Sequence, residues 1–352
     1  MDTLLQRLGI RLPILQAPMA GGPDTPELAA AVSDAGGLGA LGCGYLSPEQ
    51  IEATVGRLRQ LTGRPFALNL FVRGEVSEDP TAVARVTPIL DEFRRELGLP
   101  PAAGPRKPPP SYPLQLAAVV RARPRLASFT FGMPTPEELR TLHAADIYVL
   151  GTATSLDEAE ALAALGVDGI CAQGSEAGGH RGTFLGRVEH SLIGTLALTR
   201  QIVARVPLPV VAAGGIMDGA GIRAALALGA AAVQLGTAFM LCPEAGTNPA
   251  HRAALVSPDA RRTVVTQAFS GRDARGISNR FTDAFADIET APFPQQQDLT
   301  ADHRAAAAAQ GRADLMQLWA GQGAALIRQM PARELVKTLA AEAGIEGRLT
   351  DA

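Results

Sequence analysis

One histidine stands where it could do chemistry. His180 lies in Gln173-Gly174-Ser175-Glu176-Ala177-Gly178-Gly179-His180-Arg181-Gly182, directly after an apolar run. An imidazole titrates near neutral pH, and the flanking glycines remove side-chain bulk so that a ligand can approach the ring. The other histidines, His143, His190, His251 and His303, have no such setting. Asn69 and Gln173 are amides inside apolar runs, and a buried amide must be hydrogen-bonded. They read either as satisfied core amides or as a neutral donor/acceptor pair facing a heteroaromatic ring; a flavin carries the matching alternation of N–H and C=O groups. Arg181 reads either as a guide for an anionic substrate or as a solvated charge.

Two further glycine turns, Ala213-Gly214-Gly215-Ile216 and Gln234-Leu235-Gly236-Thr237, follow neighbouring apolar runs. They read as tight turns or, as we favour, as backbone cradles for a phosphate. No Gly-x-Gly-x-x-Gly opens a first βαβ unit, which leaves a Rossmann dinucleotide site unsupported. Gly-x-Ser-x-Gly is absent. Neither the histidines nor Cys43, Cys171 and Cys242 stand at metal-ligand spacing, so no metal and no disulfide framework are expected.

The elements that must position these residues are eight short apolar runs: Pro13–Met19, Leu38–Gly42, Phe66–Phe71, Leu126–Phe131, Asp146–Thr152, Gly169–Gln173, Val210–Ala213 and Ala232–Gly236. They are too apolar to alternate, as expected of parallel strands covered by helices. Helical stretches such as Pro26–Ala35, Pro48–Leu61, Leu156–Leu165 and Ile222–Leu228 lie between them. The pattern predicts an α/β fold, a (β/α)8 TIM barrel, with a doubly wound open sheet as competitor. Two regions break the rhythm: an insertion at about 73–113 holding a proline-rich linker, and everything after about residue 243. The expected organisation is a barrel over 1–242 and a lid and helical region over 243–352, with insertion and tail capping one end.

With 352 residues, 47% apolar and 19% charged, the chain can bury a large core. A formal net charge of -3 gives no footprint for nucleic acid. The N-terminus lacks the apolar core of a signal peptide, and no apolar run spans a bilayer, so a cytoplasmic location is expected.

The ordered motifs resemble the nitronate monooxygenases. They are Leu15 to Gly22, Ser128 to Gly132, Ala172 to Gly182, Ala212 to Ile216, Gln234 to Phe239, Ser270-Gly271-Arg272 and Leu318 to Gly323. The Gln-x-x-Glu-Ala-Gly-Gly-His form resembles the class I enzymes, which act on propionate 3-nitronate. The resemblance implies an FMN-containing barrel that oxidises nitronates with O2, through one-electron transfer to FMN, to a carbonyl compound with nitrite and nitrate. It implies FMN contacts at Met19, Asn69, Gln173, Gly178, Gly215, Gln234, Leu235, Gly236 and Thr237, with His180 as the catalytic residue. Phe293 departs from the tyrosine expected in many relatives, with Tyr112 as a candidate replacement hydroxyl. The runner-up reading is an NAD(P)H-dependent FMN reductase on the same barrel, using Arg272, Arg275 and Arg280 for the second nucleotide. A flavin-binding barrel without catalysis is the alternative from another class.

Overall fold

In the computed structural model, which describes residues 3–72, 78–102 and 110–345, the apolar runs become strands. These are β1 (Ile14–Gln16), β2 (Gly39–Gly42), β3 (Phe66–Phe71), β4 (Leu126–Thr130), β5 (Tyr148–Ala153), β6 (Gly169–Gln173), β7 (Gly179–His180), β8 (Val210–Ala213), β9 (Ala232–Leu235), β10 (Thr263–Thr266) and β11 (Ala274–Ile277). Eight of them form one parallel sheet in the order β1-β9-β8-β6-β5-β4-β3-β2. A parallel bridge between Leu15 and Leu38 joins its two ends. Leu38 N–H donates to Ile14 O at 3.0 Å, and Gln16 N–H donates to Leu38 O at 2.9 Å. The sheet is therefore closed, and the open doubly wound alternative is set aside. The first strand is shorter than expected because Pro18 and the glycines after it leave the ladder, and the fifth starts two residues late because Asp146 takes a φ of 57°.

The helices are α1 (Leu4–Leu8), α2 (Pro26–Asp34), α3 (Pro48–Leu61), α4 (Pro80–Glu96), α5 (Tyr112–Ala122), α6 (Pro136–Ala144), α7 (Leu156–Leu165), α8 (Thr195–Arg205), α9 (Gly219–Ala227), α10 (Pro249–Val256), α11 (Arg280–Ala284), α12 (Gln295–Leu299), α13 (Ala301–Ala309) and α14 (Ala332–Ala343). Most barrel helices open on a side-chain cap: Thr25, Ser47, Thr135, Ser155 and Asp218 each accept from a backbone N–H of the first turn. The Asp218 cap starts α9 three residues before the expected Ile222.

The insertion is more than a linker. Within it, α4 runs for 17 residues and buries Ala82, Val86, Leu90 and Phe93. These pack into one apolar cluster with Phe269, Phe281, Phe285 and Leu299 of the C-terminal region. Phe93 and Phe281 lie 5.1 Å apart, centroid to centroid. The buried Arg94 side chain ties the two segments through Asp302, at 2.6 Å and 3.0 Å. Insertion and tail therefore share a core as one cap over the strand ends. Most of the proline-rich stretch, residues 103–109, lies outside the described residues. The C-terminal α14 returns to the barrel wall, where Leu335, Val336 and Leu339 share a cluster with Val32 and Ile222.

Three strands belong to neither the barrel nor the helical layer. The order β10-β11-β7 is antiparallel, with Ala274 opposite His180 and Arg275 opposite Gly179. The segment read as a glycine-rich loop is thus a short strand paired with the cap. Among the described residues, no helix is long and apolar enough to cross a membrane, and no group of three His, Cys, Asp or Glu is placed to hold a metal ion.

Candidate active site

The C-terminal ends of the barrel strands and the cap enclose a cavity of about 510 Å³. Met19, Asn69, Gln173, Gly178, His180, Gly215, Gln234, Leu235, Gly236 and Thr237 all line it. The strand order makes this convergence: residues at the ends of β1, β3, β6, β8 and β9 are far apart in sequence but share one rim of the barrel.

His180 is held on three sides by rings, with centroids of Trp319 at 5.6 Å, Phe131 at 5.8 Å and Phe293 at 6.2 Å. Its Nε2 lies 2.8 Å from Ser270 Oγ. That hydroxyl donates to Arg272 O at 3.0 Å, so in this arrangement it accepts from Nε2–H and leaves Nδ1 as the unprotonated nitrogen. Burial, then the charges of Arg272 and Arg304, push the imidazole down to about 3. A depressed pKa means that His180 is neutral throughout the ordinary pH range and charges only in strong acid. The kcat/KM profile for a preformed nitronate is therefore expected to show no histidine inflection between pH 5 and 8. A step near 6.5 assignable to His180 would contradict this environment.

The two amides differ. Asn69 Nδ2 donates to Ser128 O, Ser128 Oγ and Thr130 Oγ1 at 3.0–3.1 Å, with no protein donor to its Oδ1 among the described residues. Gln173 is used at both ends: Nε2 donates to His180 O at 3.0 Å, and Oε1 accepts from Gly182 N–H at 2.8 Å. Gln173 therefore clamps β7 back onto β6 and sets where His180 stands. Among the described residues, the side chain of Gln234 makes one contact, from Nε2 to Cys171 Sγ at 3.5 Å. Beneath Met19, the half-buried Asp24 carboxylate accepts from Met19 N–H at 2.6 Å, Gly42 N–H at 2.8 Å and Gln16 Nε2 at 3.0 Å. These bonds pin the β1 turn against the next strand, while burial pushes the Asp24 carboxyl up to about 7.

Gly214 and Gly215 both take positive φ, 121° and 71°, which an L side chain rarely adopts. At Gly236 a Cβ would fall 3.3 Å from Ala17 Cβ and 3.7 Å from Met19 Sδ, against residues of the cavity lining. Gly178 has a different reason: a Cβ there would meet the backbone of Gly321 and Ala320 at 2.5 Å and 2.6 Å.

Several expectations change. Arg181 is neither a substrate guide nor a solvated charge. It is 1% exposed and donates to the carbonyls of Gly174, Gln173 and Ser191, holding the β6–β7 turn from behind. Tyr112 replaces no lid hydroxyl, because it opens α5 and donates to Glu138 at 3.4 Å, outside the cavity lining. Phe293 instead completes the aromatic wall around His180. The arginines assigned to a second nucleotide are engaged elsewhere. Arg272 lies 4.0 Å over the Phe131 ring and bonds Thr183 O, Arg275 bonds Ser175 O at 2.7 Å, and Arg280 pairs with Glu96. Sequence reasoning missed the site parts of Ser270, Tyr45, Trp319 and Arg304; the Ser-Gly-Arg and Trp-containing motifs marked two of them without giving them a place.

Fold and site together define a barrel enzyme whose chemistry is enclosed between strand ends and a cap. Residues 3–342 match the sequence pattern of the family described as nitronate monooxygenase. The chain is 47% identical over 347 residues to the nitronate monooxygenase of Pseudomonas aeruginosa, covering 97% of this chain and 99% of that protein. The solved structure of nitroalkane oxidase from Streptomyces ansochromogenes is similar at a TM-score of 0.91 and 42% identity, covering 98% of this chain and 99% of that one. FabK from Thermotoga maritima is similar at 0.76 and 29% identity, covering 98% and 96%. The chain belongs to the nitronate monooxygenase family, oxidoreductases that oxidise nitronates, and flavin use is implied by that membership.

Proposed function

We propose that the protein uses FMN to oxidise alkyl nitronates with O2, that propionate 3-nitronate is a favoured substrate, and that His180 is the catalytic residue. The observation that carries this reading is the placement of His180, bonded to Ser270 and boxed by three aromatic rings at one wall of the cavity. A neutral imidazole held well below its usual pKa is a weak base for a carbon-bound proton, which favours a substrate that arrives already deprotonated. In the observed arrangement the Nδ1 lone pair can only accept a proton, which a nitronate does not offer. If Ser270 Oγ turns its proton to Nε2, Nδ1 carries the hydrogen and can donate to a nitronate oxygen.

The residues fit FMN. The barrel end of the cavity offers Asn69 Oδ1 and Gln234 Oε1, neither with a protein partner among the described residues, as neutral acceptors for a heteroaromatic ring. Gly215, Gly236 and Thr237 would hold the phosphate, with Met19 and Gly178 beside them. When bound, FMN supplies the electron acceptor and O2 the terminal oxidant. The protein's own task is to orient the nitronate, exclude water through the aromatic wall, and keep the imidazole neutral.

The deciding experiment is anaerobic mixing of the purified protein with propionate 3-nitronate in one cell and with NADH or NADPH in another. Fast change of the flavin spectrum by the nitronate alone supports the proposal; fast bleaching by a nicotinamide alone would replace it with the reductase reading. Separately, Gly236→Val is expected to purify with much less than one FMN per chain, because its branched side chain must enter the space beside Ala17 and Met19. Stoichiometric FMN in that variant would remove the phosphate assignment.

A further inference from the structure

We propose that Arg304 is the specificity-determining residue for the far end of the substrate, recognising a carboxylate or like anion on the nitronate's carbon chain; this rests on the nitronate reading above. Among the described residues lining the cavity, Arg304 is the one formally charged side chain besides the neutral histidines. It sits on α13, whose cavity face repeats as Ala301, Arg304, Ala305 and Ala308 at helical spacing. Three alanines around one arginine leave room for both the guanidinium and a ligand.

The guanidinium is held in place without being neutralised. Nε donates to Thr300 O and Oγ1 at 3.2 Å and 3.1 Å, and Nη2 donates to Gln297 O at 2.9 Å. All three acceptors are uncharged. Burial works against its positive charge while Tyr45 and Asp298 favour it, and Nη1 has no protein acceptor among the described residues. Arg272, the other cation that acts on His180, is engaged by backbone carbonyls and the Phe131 ring. A guanidinium that lines a cavity and bonds only to neutral acceptors is the place where an anion that brings its own charge gains most. Arg304 is also close enough to His180 to depress its ionisation, so one small molecule can place a nitronate group at His180 and an anion at Arg304.

The test compares wild type, Arg304→Met and Arg304→Lys, all loaded with FMN, on propionate 3-nitronate and on the neutral-tailed propyl-2-nitronate. The ratio of kcat/KM for the first over the second is expected to fall about 100-fold in Arg304→Met, mainly through KM, as for loss of a charge-assisted hydrogen bond. Arg304→Lys should recover part of it. Propionate should perturb the flavin absorbance and inhibit competitively in wild type, and do neither in Arg304→Met. Equal losses on both nitronates, or no loss, would overturn the assignment. If wild type oxidises neither nitronate, the functional reading fails, and the propionate titration still decides whether Arg304 binds anions.

Discussion

Replacing His180 with asparagine is expected to leave FMN bound and to lower turnover by an amount that depends on the protonation state of the substrate. Asparagine keeps a polar group of similar reach but loses the lone pair on an aromatic nitrogen. With a preformed nitronate no carbon-bound proton has to move, so what is lost is the Nδ1–H donor that His180 presents when Ser270 Oγ turns its proton to Nε2, worth about 10- to 100-fold for a hydrogen bond to the nitronate oxygens. With the neutral nitroalkane the base is lost as well, so the loss is expected to be larger, though toward the low end of the ~100- to 10,000-fold range of general bases because the imidazole is a weak one. The comparison is steady-state kcat/KM on both forms of one compound, with flavin content measured on each preparation. Unchanged turnover on both forms would mean that His180 is not catalytic. An equal loss on both would assign it to holding substrate rather than to proton transfer.

The position of His180 also shows how far this molecule could be read from its sequence. The glycine-rich turns after β6, β8 and β9 were legible because a turn at a strand end leaves a local signature: glycines where φ is positive or where backbone comes close. The barrel itself was legible as eight apolar runs, but its closure rests on one bridge, between Leu15 and Leu38, that no local pattern announces. What remained hidden was tertiary. Ser270 reaches His180 across 90 residues, because β11 pairs with β7 and brings the β10–β11 turn that precedes it over the barrel mouth. Arg181 looked functional by adjacency, yet three backbone carbonyls draw it inward. Arg304 carries no local mark in the alanine-rich α13, and only the placement of α13 over the cavity gives it a role. Helical spacing reveals a face, but not whether that face meets solvent, core or ligand.

Gly321→Val is expected to separate the cap from the barrel and to cost the protein its flavin. The segment Leu318 to Gly323 crosses the barrel mouth with backbone packed on backbone. A Cβ at Gly321 would stand 2.7 Å from Glu176 O and 3.2 Å from Gly178 N, and one at Gly323 would stand 2.6 Å from Gly215 O. Two hydrogen bonds lock this seam: Gln322 N–H to Glu176 O at 2.9 Å, and Gly321 N–H to Thr237 Oγ1 at 3.0 Å. Glu176 and Thr237 belong to the same turns that carry Gly178 and Gly236, so the seam and the proposed cofactor cradle are one structure. Backbone atoms cannot step aside as a flexible side chain can; an inserted valine must lift the segment, break both bonds and shift Trp319 away from His180. Overpacking of this kind costs about 1–3 kcal/mol, but its effect on flavin retention is expected to be larger, because the opening falls at the turns proposed to hold ring and phosphate. The matched control is Gly56→Ala in α3, where a Cβ meets nothing within 4 Å. That exposed helical site should gain about 0.5–1 kcal/mol from the alanine and keep its flavin. Thermal unfolding and flavin content of the two variants, measured side by side, separate a seam effect from a general effect of losing a glycine. If Gly321→Val retains full flavin and full turnover, the cap does not depend on this contact, and the close packing at Gly178 has no bearing on the site.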